Sequence, residues 1–181
     1  MESNSFEEIT HWREIDFRYS WLSTTLAALK AGFDLIEKID DEGSQIEEYE
    51  HLLGITFIAL QTYISGVYTD LNEISQSNNK SRIKDKLKLY SDDNEPISEG
   101  LSRISLINSA ANYYKHHDEW DVWGEGHSKG TVESLQKFGI NENTDYPCCD
   151  TYSFLMGDDT NLEKLLHFVS DWRKYIMTTL K

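Results

Sequence analysis

The feature that most restricts what this chain can fold into is the spacing of its apolar residues between Ile46 and Ile74. Tyr49, Leu53, Phe57, Leu60, Ile64, Val67, Leu71 and Ile74 recur three or four positions apart, which places them on one face of a single long α-helix. Such a stripe must be buried against other elements, and the rest of the chain offers partners of the same period. Ile9, Trp12, Phe17, Trp21, Leu22, Leu26, Leu29, Phe33, Leu35 and Ile36 predict a helix from about Phe6 to Ile39, bent near Gly32. The turn DDEGSQ then sets these two helices antiparallel.

Only two prolines occur, Pro96 and Pro147, so nothing interrupts the long periodic segments. The segments SQSNNK and SDDNEP flank a short basic helix in which Lys80, Lys84 and Lys88 recur at i,i+4 spacing, with Arg82 and Lys86 beside them. That stripe reads either as a solvated helix face or as a patch that contacts phosphate. Pro96 is placed as an early residue of the next helix, which runs through Leu101, Ile104, Ile107, Ala111 and Tyr114. After the glycine-bearing loop DVWGEGHSKG, about eight helical residues from Thr131 end at Gly139. INENTDYPCCDTYSFLMGDD reads as irregular. The last helix opens at Thr160 with a capping box closed by Glu163, and continues through Leu162, Leu165, Leu166, Val169, Trp172, Ile176 and Leu180. The expected fold is all-α: an up-down four-helix bundle with two short extra helices and a long loop, in one domain spanning 1–181.

With 39% hydrophobic and 12% aromatic residues in 181, the chain has enough apolar surface for one core, which argues against disorder. Its formal net charge of -15 excludes a general nucleic-acid coat, since most of its surface repels phosphate. The start of the chain lacks a basic region followed by an apolar one, and no uninterrupted apolar run reaches about 18 residues. A cytoplasmic protein with no membrane partner is expected. The adjacent Cys148 and Cys149 fit neither a zinc knuckle nor a disulfide framework and read as reduced, partly buried thiols.

Two Glu-x-x-His pairs, Glu8 with His11 and Glu48 with His51, have the spacing of di-iron ligands. Each pair begins one of two antiparallel helices, which separates them by roughly 30 Å and argues against a shared metal. His116, His117, His127 and the cysteines show no diagnostic zinc spacing, so no cofactor is expected.

Chemistry-bearing residues crowd together in NYYKHHDEW, Asn112 to Trp120. On a helical wheel Asn108, Asn112, Lys115, His116 and Glu119 share a stripe beside the core face, whereas His117 falls with Tyr113, Leu106 and Ala110. Asn108 and Lys115 are thereby aimed near the interior, where an amide or ammonium needs a partner. One reading is a helix C-terminus whose cations complement the dipole. The other is a site in which a histidine exchanges a proton, a lysine holds negative charge and two amides orient a ligand.

ITFIALQTYISGVYTDL in the second helix and INSAANYYKHHDEW, with the overall helix order, resemble small bacterial helical proteins allied to the HEPN superfamily. The resemblance covers Ile46 to Trp120. It implies a metal-independent ribonuclease or RNA-binding protein of toxin-antitoxin or phage-defence systems, acting as a homodimer with two motif copies in one cleft. The HEPN nuclease pattern has an arginine followed by four to six residues and a histidine. Here twelve residues separate Arg103 from His116, and Arg103 does not inherit that role. The implied assignment is His116 as general base or acid at the ribose 2′-hydroxyl, Lys115 as the cation at the transition state, Asn112 as the orienting group and His117 as a second proton carrier. Asn108, Glu119, Lys80, Lys84 and Lys88 are the expected RNA-binding residues.

Two other classes compete. A non-enzymatic acidic protein, such as an antitoxin, immunity factor or nucleic-acid mimic, would dock on a basic protein partner. It would gather the acidic runs at 40–42, 92–95, 118–121 and 158–159 on one face. A small anionic metabolite at the Asn108, Asn112 and Lys115 stripe would instead need a closed pocket.

Overall fold

A computed structural model describes residues 15–97, 101–157 and 159–179, without the side chain of His127. The Glu8–His11 pair, Asp158 and Leu180 lie outside the described residues. The described chain is all-helical and contains no strand.

Helix α1, Phe17–Ile36, starts where the Asp16 carboxylate accepts the Tyr19 amide. Helix α2, Glu42–Ser77, is capped by Asp41 and spans 36 residues, roughly 54 Å. The two are antiparallel: Gln45 donates to the Ile36 carbonyl at one end, and Arg18 pairs with Asp70 towards the other. Between these points Gly32 is a close approach, since a Cβ there would sit 2.9 Å from the Leu52 side chain. Among the described residues α2 is the one helix long and apolar enough to cross a membrane, and half of its most apolar window is buried inside the fold.

The basic segment departs from expectation. The chain is non-helical from Lys80 to Asp85, and α3 comprises only Lys86–Ser91. Asn72 accepts the Ile83 amide and Tyr68 donates to the Ile83 carbonyl, so this backbone is tied to α2 instead of to itself. Lys80, Lys84 and Lys88 therefore form no helical stripe. Helix α4, Arg103–His116, likewise starts later than expected, because Ser102 accepts the Ser105 amide as its cap and donates to the Tyr90 carbonyl. Pro96 and Leu101 precede it.

Helix α5, Lys129–Gln136, is followed by Gly139 at φ +82°. Helix α6, Pro147–Met156, occupies a segment expected to be irregular. Pro147 is its first residue, and the Glu50 carboxylate of α2 accepts the amides of Cys148 and Cys149, each at 2.9 Å. Helix α7, Glu163–Thr179, starts with Asn161 accepting the Glu163 amide, the part expected of Thr160.

The core lies along α2. Phe57, Leu60 and Ile64 meet Ile104 and Ile107 of α4 and Leu165 and Ile176 of α7, all 0% exposed. Burying each such side chain contributes about 1.5–3 kcal/mol. Leu106 and Ala110 are buried as well, so α4 has two covered faces, the second towards α5 and α6.

Candidate functional site

The polar stripe of α4 faces α2, and the residue that satisfies it is Gln61. Its Nε2 donates to Asn112 Oδ1 at 2.7 Å and to Asn108 Oδ1 at 2.9 Å, while its Oε1 accepts from Lys115 Nζ at 2.7 Å. Gly54, two turns earlier on α2, lets α4 come this close: a Cβ there would lie 2.1 Å from the Tyr114 ring. Lys86 approaches the same seam from α3, donating to Ser65 Oγ at 3.2 Å and lying over the rings of Tyr68 and Tyr90. Among the described residues no carboxylate lies within 4 Å of Lys86 or Lys115. Partial burial lowers the Lys115 pKa, and the charge on Lys86 adds to the effect.

His116 and His117 diverge from this seam. His116 Nδ1 is 3.2 Å from Glu119 Oε2 at the exposed end of α4. A carboxylate only accepts, so Nδ1 carries the proton and Nε2 keeps its lone pair in the neutral ring. His117 instead stacks on Tyr113 at 4.8 Å, donates from Nδ1 to the carbonyls of Tyr113 and Tyr114, and has Nε2 3.1 Å from Asp118. It closes the helix end, alongside a cluster in which Tyr113, Trp120 and Trp123 pack edge to face. Of the four residues expected to act together, the structure brings Asn112 and Lys115 into one network, keeps His116 with Glu119 beside it, and turns His117 away.

Among the expected binding residues, Asn108 belongs to the Gln61 network, Lys80 and Lys84 are exposed on the extended segment, and Lys88 lines a cleft between α3, α4 and α5. Gln61 was missed, and Lys86, named only as a neighbour of the basic stripe, was not expected at this seam. The available signal for Gln61 was a lone amide between Leu60 and Ile64 in an otherwise apolar run, a position where a polar group needs a partner.

Cys148 and Cys149 are free thiols. Burial and then the Glu50 carboxylate push both upward, Cys149 to about 12. Among the described residues no three His, Cys, Asp or Glu side chains are grouped to hold a metal ion. Of the acidic runs, 92–95 stands apart from 40–42, while 118–121 follows α4 beside the start of α2. Asp40–Glu42 stand at the turn into α2, whereas Asp92 accepts Tyr175 and Trp172 of α7 near the Asp16–Tyr63 level, about 30 Å along α2. Several acids also have local tasks: Asp41 caps α2, Glu95 pairs with Arg103, and Asp159 lies 3.5 Å from Lys164.

Comparison with protein-family models, with curated proteins and with solved structures finds no match to this chain.

Proposed function

We propose that the chain is a HEPN-like helical protein that cleaves RNA without metal at the exposed end of α4, as a homodimer in a defence or toxin-antitoxin setting. The alternating directions of α1, α2, α4 and α7 support its reading as an up-down four-helix bundle. The observation that carries the function is a histidine–carboxylate dyad, His116 with Glu119, next in sequence to Lys115, which has no carboxylate within 4 Å among the described residues. Glu119 holds the proton on Nδ1, so Nε2 takes the proton of a ribose 2′-hydroxyl. The 2′-oxygen then attacks phosphorus, Lys115 stabilises the added negative charge, and the 5′-oxygen departs, taking up a proton from water to become a 5′-hydroxyl and leaving a cyclic phosphate. Gln61 and Asn112 fix the lysine, a role an exposed ammonium could not fill unaided. The separation of the 92–95 run from the 40–42 run weighs against one continuous acidic face of the kind a mimic would present.

The test is cleavage of a mixed RNA pool in EDTA. Wild type is expected to produce 2′,3′-cyclic phosphate and 5′-hydroxyl ends, while His116→Ala and Lys115→Ala of matched stability lose about 100-fold or more. Glu119→Gln is expected to fall less far, because it orients the base without exchanging a proton itself. Absence of cutting by the dimeric wild type overturns the nuclease reading.

A further inference from the structure

On the far side of the amide pair from Gln61 lies a cleft of about 570 Å³ between α3, α4 and α5, within the size range of small-ligand sites. Asn108 and Asn112 form part of its wall, joined by Ser105 and Ser134, and Lys88 and Lys137 stand along it. The polarity of this wall is not free to vary. Lys115 only donates, so Gln61 must present Oε1 to it and turn Nε2 towards the asparagines. Nε2 lies within reach of both Oδ1 atoms and of the Asn108 carbonyl, and a flipped Asn108 or Asn112 amide would set donor against donor, which leaves the two Nδ2 groups as the ends available to the cleft. Among the described residues neither Nδ2 makes a hydrogen bond, and neither is a fully buried atom, so both are open to a ligand or to water; Asn108 as a whole is 8% exposed.

The cations show the same excess of donors. Neither Lys88 nor Lys137 has a carboxylate within 4 Å among the described residues. Two carboxylates also line the cleft: Asp85 accepts the Lys88 amide as the cap of α3, and the exposed Glu133 lies 3.9 Å from Lys129. Two amide donors of fixed direction, two unpaired ammonium groups and several hydroxyls call for a ligand rich in acceptors and negatively charged.

We propose that this cleft binds a phosphate ester of nucleotide size, its phosphoryl oxygens held by Lys88, Lys137 and the amides of Asn108 and Asn112. Lys115 serves the cleft as a positioning residue, through Gln61. The inference does not rest on RNA cleavage, and the ester is either a free mononucleotide or one unit of an RNA strand.

Gly130 makes the test clean. It lines the cleft on α5, and a Cβ built there meets nothing within 4 Å, so α5 accepts a side chain at this position and Gly130→Trp is the variant chosen to crowd the cleft. Titration calorimetry on the full chain would use AMP, UMP, ribose 5-phosphate, unphosphorylated uridine and a short oligouridylate. Saturable binding of at least one phosphorylated ligand is expected, with uridine silent. Gly130→Trp and Asn112→Asp should each weaken it by about tenfold or more, and Lys115→Met by several-fold with recovery in Lys115→Arg. Oligouridylate binding much tighter than UMP identifies a strand track. Mononucleotide binding with RNA cleavage intact in Gly130→Trp identifies a separate metabolite site, and either result supports the cleft. The proposal is overturned if no phosphate ester binds, or if binding survives both Gly130→Trp and Asn112→Asp.

Discussion

Helix α2 carries two polar clusters of similar size that differ in how their charges are balanced. In the first, Asp70 pairs with Arg18, Tyr63 donates to Asp16, and Asp16 lies 3.7 Å from Arg173. Two carboxylates meet two guanidinium groups, Asp70 is 1% exposed, and Gly66 supplies the room that the Arg18 side chain occupies. In the second, around Gln61, two ammonium groups meet no carboxylate and two amide nitrogens have no protein acceptor among the described residues. The first cluster is complete within the chain and locks α1 and α7 onto α2. The second keeps donors that its protein partners do not use up, which is the kind of surplus a binding site needs and a structural cluster does not.

The largest effect should come from breaking the closed cluster. Asp70→Asn leaves Arg18 without its buried partner and should cost about 3–5 kcal/mol in urea unfolding, whereas Lys115→Met should cost about 1 kcal/mol or less. Equal losses in the two variants would erase the distinction between the clusters. Gly54→Ala comes next: its Cβ would overlap the Tyr114 ring and push α4 away from Gln61, for about 1–3 kcal/mol. Because it spreads the amide seam, it should also weaken phosphate-ester binding, which Gly66→Ala at the closed cluster should not do. The smallest effect concerns protons. Lys115 is expected to titrate below its ordinary 10.5 and below Lys174, whose pKa is raised by its hydrogen bond to Asp171. Its folded value is lowered, so its charge opposes folding below that pH, and the penalty fades as pH rises through the folded value towards 10.5. Lys86→Met should move the Lys115 resonance upward in an NMR titration of methylated lysines. No movement would mean that the two cations do not share one field.

The periodic helices were legible in the sequence because burial of one face imposes a spacing that survives in the residues themselves. α2 was legible for this reason, and so was the seam of Asn108, Asn112 and Lys115 as polar groups in need of partners. Helix α6 was not, because the group that satisfies its first amides is Glu50, 98 residues from Cys148. The extended course of 80–85 was hidden for a related reason: the hydrogen bonds of Ile83 go to Asn72 and Tyr68 on α2. In both places a partner distant in sequence outweighed a weak local preference.

The sequence by itself determined the all-helical character of this protein, the antiparallel pairing of its first two long helices and the stripe on which its candidate site would lie. Tertiary structure alone decided that Gln61 joins that stripe, that Lys86 faces Lys115, that His116 and His117 part company, and that two amide donors face a cleft. Helical period is a local property written into one segment. Hydrogen-bond polarity across a seam depends on which atoms of several helices meet, and only the packed fold specifies that.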